Sequence, residues 1–153
     1  MSNMYAAKRA IIDRLRTVAA LDNTSALFGV QVAYTWPGQT AEMMSVYGGG
    51  FTFEQLGEED VVDGDDRVTK EDGSLNLIIR VAQSPPGQNG TRDSDEVAES
   101  IGDAIEALIQ DEPHIAGGHS VSRVISGIGD TDPIDDQAVS LLLLRIRVES
   151  YLG

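Results

Sequence analysis

The sequence predicts an α+β domain in which two helices pack on one mixed, mainly antiparallel sheet of about four to six strands. Three observations lead to this prediction. Aliphatic residues recur at helical spacing over 93–111, apolar and polar residues alternate over 74–82, and two apolar segments follow at 120–128 and 138–151. The elements are expected in the order α-β-β-β-β-α-β-β. A chain of 153 residues suffices for one domain with a single core, so 1–153 is treated as one unit.

The first helix is predicted to run from a cap at Ser2 or Asn3 to about Leu21. Its apolar residues are three or four positions apart, which places them on one face. They are Met4, Ala7, Ile11, Leu15 and Val18. A half-buried strand is expected next, because residues 30–36 alternate between apolar and polar side chains before Pro37 introduces a turn.

Residues 43–47 are expected to form a short strand that the glycine triplet 48–50 ends. No Gly-Lys-Ser/Thr follows the triplet and no helix begins there, so a phosphate-binding loop is disfavoured. A flexible turn or a close approach of backbone is expected instead. The acidic stretch 54–72 is predicted to be solvated. A calcium loop starting at Asp63 is disfavoured, because Val68 occupies the position of the required glycine.

The clearest strand covers residues 74–82, with Leu75, Leu77, Ile79 and Val81 on one face. The preceding Asp72-Gly73 pair is a hairpin signal, so residues 61–70 are expected to pair partly against this strand. The segment 84–90 is rich in Pro and Gly and can form neither ladder nor helix. Long exposed loops of this kind are often contact loops.

The helix predicted over 93–111 organises the second half of the chain. Asp93 and Glu96 fit a capping box, and Pro113 ends the helix. Its apolar stripe comprises Val97, Ile101, Ala104, Ile105, Leu108 and Ile109. Burying each large aliphatic side chain is favourable by about 1.5–3 kcal/mol, so the stripe must lie against the sheet. A strand–helix–strand unit over one sheet face is therefore expected.

Two strands, 121–128 and 138–151, are predicted after this helix, with the aspartate-rich segment 129–136 as the loop between them. The last strand is apolar on both faces in its first half. In its second half, Arg145, Arg147 and Glu149 occupy one face. This change indicates a face that meets water or a neighbouring subunit.

Charge and composition restrict the function. The net charge is −14, and residues 54–136 alone carry 21 acidic and five basic residues. Such a surface repels phosphate backbones, which disfavours conventional nucleic-acid binding. The chain has no cysteine and two histidines, His114 and His119, which lack a recognised metal-ligand spacing. The sequence Gly-His-Ser-Val-Ser lacks the closing glycine of a nucleophile elbow. No catalytic or metal site, cofactor or membrane span is expected.

The order of elements resembles the tail terminator proteins of long-tailed, non-contractile bacteriophages. The resemblance covers most of the chain, and it is a match of patterns without a catalytic signature. The segments that carry it are AAKRAIIDRLRTVAAL, VQVAYTWPG, SLNLIIRVAQSPPG, DSDEVAESIGDAIEALI, HSVSRVISGIGD and AVSLLLLRIRVESYL.

This resemblance implies a virion structural protein and not an enzyme. It implies a ring, usually a hexamer, that caps the tail tube, stops its growth and presents a docking face to the head. The implied partners are further copies of the chain, the major tail tube protein and a head–tail connector or stopper protein, while DNA only passes through the lumen. The implied location is the head–tail junction of the virion, after assembly in the host cytoplasm.

Two sets of residues are candidates for these contacts. The ring or tube contacts are expected from the Pro-Gly loop and the start of the helix, at Pro85, Pro86, Gln88, Asn89, Thr91 and Arg92. Carboxylates lining the lumen would repel DNA and ease its passage. The candidates for this acidic lining are Glu58, Glu59, Asp60, Asp63, Asp65, Asp66, Asp130, Asp132, Asp135 and Asp136.

Other functions remain open at the level of the sequence. Another neck protein, such as a head-to-tail connector or a minor tail protein, fits the same pattern. An acidic module that mimics DNA is an alternative of a different class. A small enzyme would need a base and a nucleophile in one pocket, and the chain offers no complete motif for either.

Overall fold

The computed structural model describes residues 2–60, 67–83, 91–134 and 137–152, which form one five-stranded mixed sheet and two α-helices. The predicted fold class is confirmed. A short 3-10 turn at Gly38–Thr40 lies between the first two strands. The elements are α1 Met4–Leu21, β1 Gln31–Ala33, β2 Met44–Asp60, β3 Arg67–Gln83, α2 Arg92–Asp111, β4 Ser120–Ile134 and β5 Gln137–Leu152.

The strands are arranged in the order β1-β2-β3-β5-β4. β1 is parallel to β2, and every other neighbouring pair is antiparallel. β3 and β4 therefore run in the same direction and are joined through α2, with β5 inserted between them. The predicted strand–helix–strand unit is present, but its two strands are not neighbours.

Both helices lie on the same face of the sheet. β3 supplies the centre of the core with Leu75, Leu77 and Ile79, which are fully buried. α1 packs over β1 to β3 and α2 packs over β3 to β5. In α2, Ile101 and Ile105 are buried as predicted. The opposite face of the sheet is left without a covering helix or strand in the described part of the chain.

The start of α2 differs from the prediction in two respects. Val97 is 37% exposed, and Ala98 is buried instead. Ala98 lies one helical turn from Ser94 on the side that faces β5, where the hydroxyl oxygens of Ser94 and Ser140 are 2.6 Å apart. Val97 lies outside this buried side. The predicted capping box is wrong. The helix begins at Arg92, and its cap position makes no side-chain hydrogen bond.

α1 begins as predicted, and both a local residue and the sheet hold its first turn: the Ser2 hydroxyl accepts a hydrogen bond from the backbone N–H of Met4 at 3.0 Å. Asn3 at the cap position makes no side-chain capping bond. The buried carboxyl group of Glu71 on β3 accepts hydrogen bonds from the Asn3 backbone N–H and the Ser2 hydroxyl, both at 3.0 Å. Asn3 also donates to the Ser150 hydroxyl at 3.1 Å.

Three predicted breaks lie inside continuous strands. The glycine triplet 48–50 is part of β2, where a bulge between Gly48 and Phe51 absorbs the irregularity. Gly73 pairs with both Phe53 and Val148, so no turn occurs there. β4 continues through the aspartate-rich segment as far as Ile134. Backbone pairing on neighbouring strands holds these polar stretches in extended form. β1 is shorter than predicted, because only residues 31–33 find partners in β2.

Candidate assembly surfaces

The uncovered face of the sheet, here called the open face, is the first candidate surface. Its side chains alternate with those of the core along each strand. They are half-buried or exposed, as expected for a sheet with one face in water. The open face comprises Tyr47, Glu54, Asp72, Asn76, Ile78, Arg80, Arg123, Ile128, Asp130, Leu141, Leu143, Arg145, Arg147 and Glu149.

An apolar row crosses the middle of the open face. Tyr47, Ile78, Leu143 and Ile128 are consecutive partners in the register of four neighbouring strands. Ile128, at the edge strand, is 66% exposed. A contiguous apolar row on a sheet face is typical of a surface that another element covers.

Three arginines lie together to one side of the apolar row. Arg123 and Arg147 are direct partners across β4 and β5, and Arg145 lies two residues from Arg147 on the same face. Like charges directly opposite each other on a sheet are destabilising. Arg147 is compensated by Asp72, to which its Nε and Nη2 atoms donate at 2.9 Å each. This hydrogen-bonded pair holds the pKa of Asp72 below its usual value.

Arg123 and Arg145 have no such compensation. Among the residues that the structure describes, neither guanidinium has a carboxylate oxygen within 4.0 Å. Both side chains are exposed. Both arginines therefore lie beside the apolar row outside any ion pair of the described residues, although the charge of Arg123 helps to lower the pKa of Asp72.

Arg80 carries a further positive charge on the other side of the apolar row. Its guanidinium lies 5.5 Å from the centre of the Trp36 ring, and Trp36 lies 5.1 Å from Tyr47. Burial raises the pKa of the Tyr47 hydroxyl. On the open face, Arg80 with its aromatic neighbours thus lies on one side of the apolar row, and the three arginines lie on the other side.

The second candidate surface is the outer side of α2 with the adjoining edge of the sheet. From Arg92 to Glu112 the chain has eight acidic residues and one basic residue. A groove of about 460 Å³ lies between α2 and the β4–β5 pair, and it is called here the acidic groove. Its apolar floor includes Leu142 and Leu144. Its carboxylates are Asp95, Glu99, Asp103, Glu106 and Asp130.

The residues predicted to make ring or tube contacts are only partly within the described chain. Thr91 is half-buried at the cap position of α2, where its carbonyl oxygen accepts a hydrogen bond from the backbone N–H of Asp95 at 2.8 Å. Arg92 is exposed and pairs with Glu96 at 3.2 Å. The other four predicted contact residues lie outside the described residues, namely Pro85, Pro86, Gln88 and Asn89.

The acidic residues predicted to line a channel do not form one cluster. Glu58, Glu59 and Asp60 belong to β2, and Asp130 and Asp132 belong to β4, so these five occupy strands and not the loops expected for them. The remaining candidates lie outside the described residues, namely Asp63, Asp65, Asp66, Asp135 and Asp136.

The two described groups are far apart along the sheet. Glu58 is level with Thr69 of β3, whereas Asp130 is level with Leu141 of β5 and, through it, with Arg80 of β3. Eleven strand residues separate these two levels, which is about 36 Å. The two groups therefore lie at opposite ends of the sheet.

Sequence reasoning missed the arginine cluster on the open face. The alternation of Arg145 and Arg147 along β5 indicated a face in contact with water or a neighbour. Nothing in the sequence indicated that Arg123 would pair with Arg147, because the register between β4 and β5 depends on a bulge at residues 124–126. One feature of the sequence could have pointed to the cluster: Arg123 is a basic residue near the start of the strand that follows the acidic helix.

The described residues contain no evident metal-binding site. No group of three or more His, Cys, Asp or Glu side chains there could hold a metal ion. The Nδ1 atom of His114 lies 2.8 Å from the carbonyl oxygen of Ser120, so this histidine serves a local contact. No helix within the described ranges combines the length and the apolar character needed to cross a bilayer.

Comparison with known proteins adds no identification. No protein-family model matches the chain, and no curated protein is significantly similar to it.

Proposed function

We propose that this chain is a tail terminator of a long-tailed, non-contractile bacteriophage, that is, a structural protein whose copies form a ring on the end of the tail tube. The observation that supports the proposal is the pair of unlike surfaces on one small domain. The open face carries an apolar row with a cluster of three arginines beside it, and the outer side of α2 is acidic. A closed ring requires such heterologous contacts, in which one patch meets a different patch on the next copy.

The charge distribution also fits a ring through which DNA passes. An acidic lumen repels the phosphate backbone, while a basic lumen would retain the duplex through counterion release. The acidic end of β2 is the candidate for this role. In this proposal the ring is an assembly component without enzymatic activity, located where the tail meets the head.

The direct test is assembly in vitro. Purified tail tube protein polymerises into tubes, and addition of this chain should shorten the tubes in proportion to the amount added. Negative-stain electron microscopy should show a ring at one end of each tube. Tubes of unchanged length without an end ring would contradict the proposal.

The alternative of a head-to-tail connector predicts a different partner. A connector should bind purified portal or neck proteins and leave tube length unchanged. The alternative of an acidic DNA mimic is favoured less, because Arg123, Arg145 and Arg147 form a basic cluster on the open face. A mimic should displace DNA from a DNA-binding protein at moderate salt, which provides a third measurable outcome.

A further inference from the structure

We infer that the open face of one copy binds the acidic groove of the next copy, with Arg123 and Arg145 as the arginines that recognise the carboxylates of α2. This inference deepens the proposed function, because it names the surfaces by which the ring closes. It does not require that the ring sits on a tail. In this inference, a second copy of this chain occupies the open face.

The first argument is charge. Arg123 and Arg145 are exposed and form no ion pair in the described part of the chain, and Arg123 lies directly opposite Arg147, an arrangement that is unfavourable on its own. The side of α2 that faces solvent has an excess of carboxylates over 20 residues. The arginine cluster of the open face and the carboxylates of α2 thus have opposite charges, and complementary charges set the register of an interface and speed its formation.

The second argument is dimension. The acidic positions from Asp95 to Glu106 extend over 11 helical residues, which is about 16 Å. On the open face, Arg80 is level with Leu141, and six strand residues of about 3.3 Å each separate that level from Arg147. The basic positions therefore extend over about 20 Å. The two charged stretches have similar lengths.

The third argument is the apolar row. Tyr47, Ile78, Leu143 and Ile128 lie between basic side chains of the open face, and they remain partly in water in the single chain. A helix packed over them would give this face the same kind of cover that α1 and α2 give the other face. Leu142 on the floor of the acidic groove offers an apolar surface to meet the row. A phosphate backbone would leave the row uncovered, which is why a protein surface is the better occupant.

The contact is heterologous, because the open face and the acidic groove are different patches of the same chain. Each copy can therefore bind one neighbour through each patch, and the chain of contacts ends only when a ring closes. Symmetric pairing through one patch is disfavoured, since two open faces would bring their arginines together.

The test uses charge reversal with matched controls. The open-face variant is Arg123→Glu with Arg145→Glu. Its control is Arg9→Glu with Arg16→Glu on the exposed side of α1, which changes the net charge by the same amount. The groove variant is Glu99→Lys with Glu106→Lys. The combined variant joins the open-face and groove changes and has the net charge of the parent chain.

Self-association is measured by sedimentation and light scattering over a range of protein and salt concentrations. The open-face and groove variants should each weaken association roughly tenfold or more, while the α1 control stays within about threefold of the parent chain. The combined variant should regain association, because each pair of charges is exchanged and not lost. The control changes on α1 combined with the groove variant should not regain it. Circular dichroism establishes that each variant is folded.

Three outcomes would overturn the inference. They are a parent chain that stays monomeric at every concentration up to its solubility limit, an open-face variant that associates like its α1 control, and binding of a DNA duplex through Arg123 and Arg145 without self-association. The proposed function fails separately. If the rings form through these surfaces but leave tube length unchanged, the inference stands and the tail terminator proposal falls.

Discussion

The glycine triplet of β2 gives a graded test of how closely α1 and the segment after β1 pack on the sheet. A Cβ atom on Gly48 would lie 2.5 Å from Cε of Lys8 and 2.6 Å from the carbonyl oxygen of Tyr34. The lysine can move, but the Tyr34 oxygen belongs to the backbone. A Cβ atom on Gly50 would meet nothing within 4 Å. We therefore expect Gly48→Ala to destabilise the fold and Gly50→Ala to be harmless.

The magnitude follows from the contacts. Overpacking a close approach costs about 1–3 kcal/mol. Gly to Ala without strain stabilises by about 0.4–1 kcal/mol, because the unfolded chain loses freedom. The second effect is common to both variants, so they should differ by about 1–3 kcal/mol, or roughly 2–12 °C in Tm for a domain of this size. Gly49→Ala should fall between them, since its Cβ would lie 3.0 Å from Cδ1 of Ile78 and 3.2 Å from Cβ of Asn76.

The assay is urea unfolding and thermal melting followed by circular dichroism. All three variants and the parent chain must be measured in the same oligomeric state, because association shifts apparent stability. Equal stability of Gly48→Ala and Gly50→Ala would refute the reasoning. It would mean that Lys8 and the Tyr34 backbone are not seated over β2.

Three other substitutions test separate contacts. Ile105→Asp should prevent folding, because it buries an unpaired charge, whereas Val97→Asp on the exposed side of α2 should fold normally; solubility and circular dichroism distinguish them. Glu71→Ala should cost about 1–3 kcal/mol in urea unfolding, since it removes the acceptor for the first turn of α1. Asp72→Asn should make the free energy of unfolding depend less on pH in the acidic range. The hydrogen bond from Arg147 lowers the pKa of Asp72 below its ordinary 3.8. The parent chain therefore has extra free energy of unfolding at pH values above 3.8, and it loses this contribution as the pH falls through the lowered pKa.

The parts of the fold that the sequence predicted are those with strong local patterns. The apolar residues around Ile101 and Ile105 recur at helical spacing, and those around Leu77 alternate with polar residues at strand spacing. Each spacing fits only one type of secondary structure. Because α2 and β3 pack directly on each other, the residues at the centre of the core could be predicted from these two patterns. The end of α2 before Pro113 was also predictable, because it depends on a local backbone preference. The start of α1 at Met4 was predictable from the polar residues before it, and Glu71 of β3 adds a contact that the sequence did not indicate.

The lengths of the strands could not be predicted from local patterns. Gly73 is in a strand because Phe53 and Val148 pair with it from both sides, and its missing side chain makes room for Met4 of α1. Asp130 is in a strand because Leu141 lies opposite it. Such residues read as turns in the sequence, since their extended state comes from partners distant in the chain. The arginines of the open face were missed for the same reason.

Substitutions at the acidic ends of β2 and β4 are expected to have different effects, so the two ends can be tested separately. Asp130 lines the acidic groove, so it lies beside the surface inferred to bind a neighbour. The end of β2 that carries Glu58, Glu59 and Asp60 is about 36 Å away along the sheet. Changing these three residues to amides should leave ring mass unchanged and should slow the passage of DNA through assembled particles, measured as the rate of DNA release. Asp130→Asn should instead weaken association at low salt. If the β2 changes abolish the ring, the acidic end of β2 is part of the interface and not of the lumen.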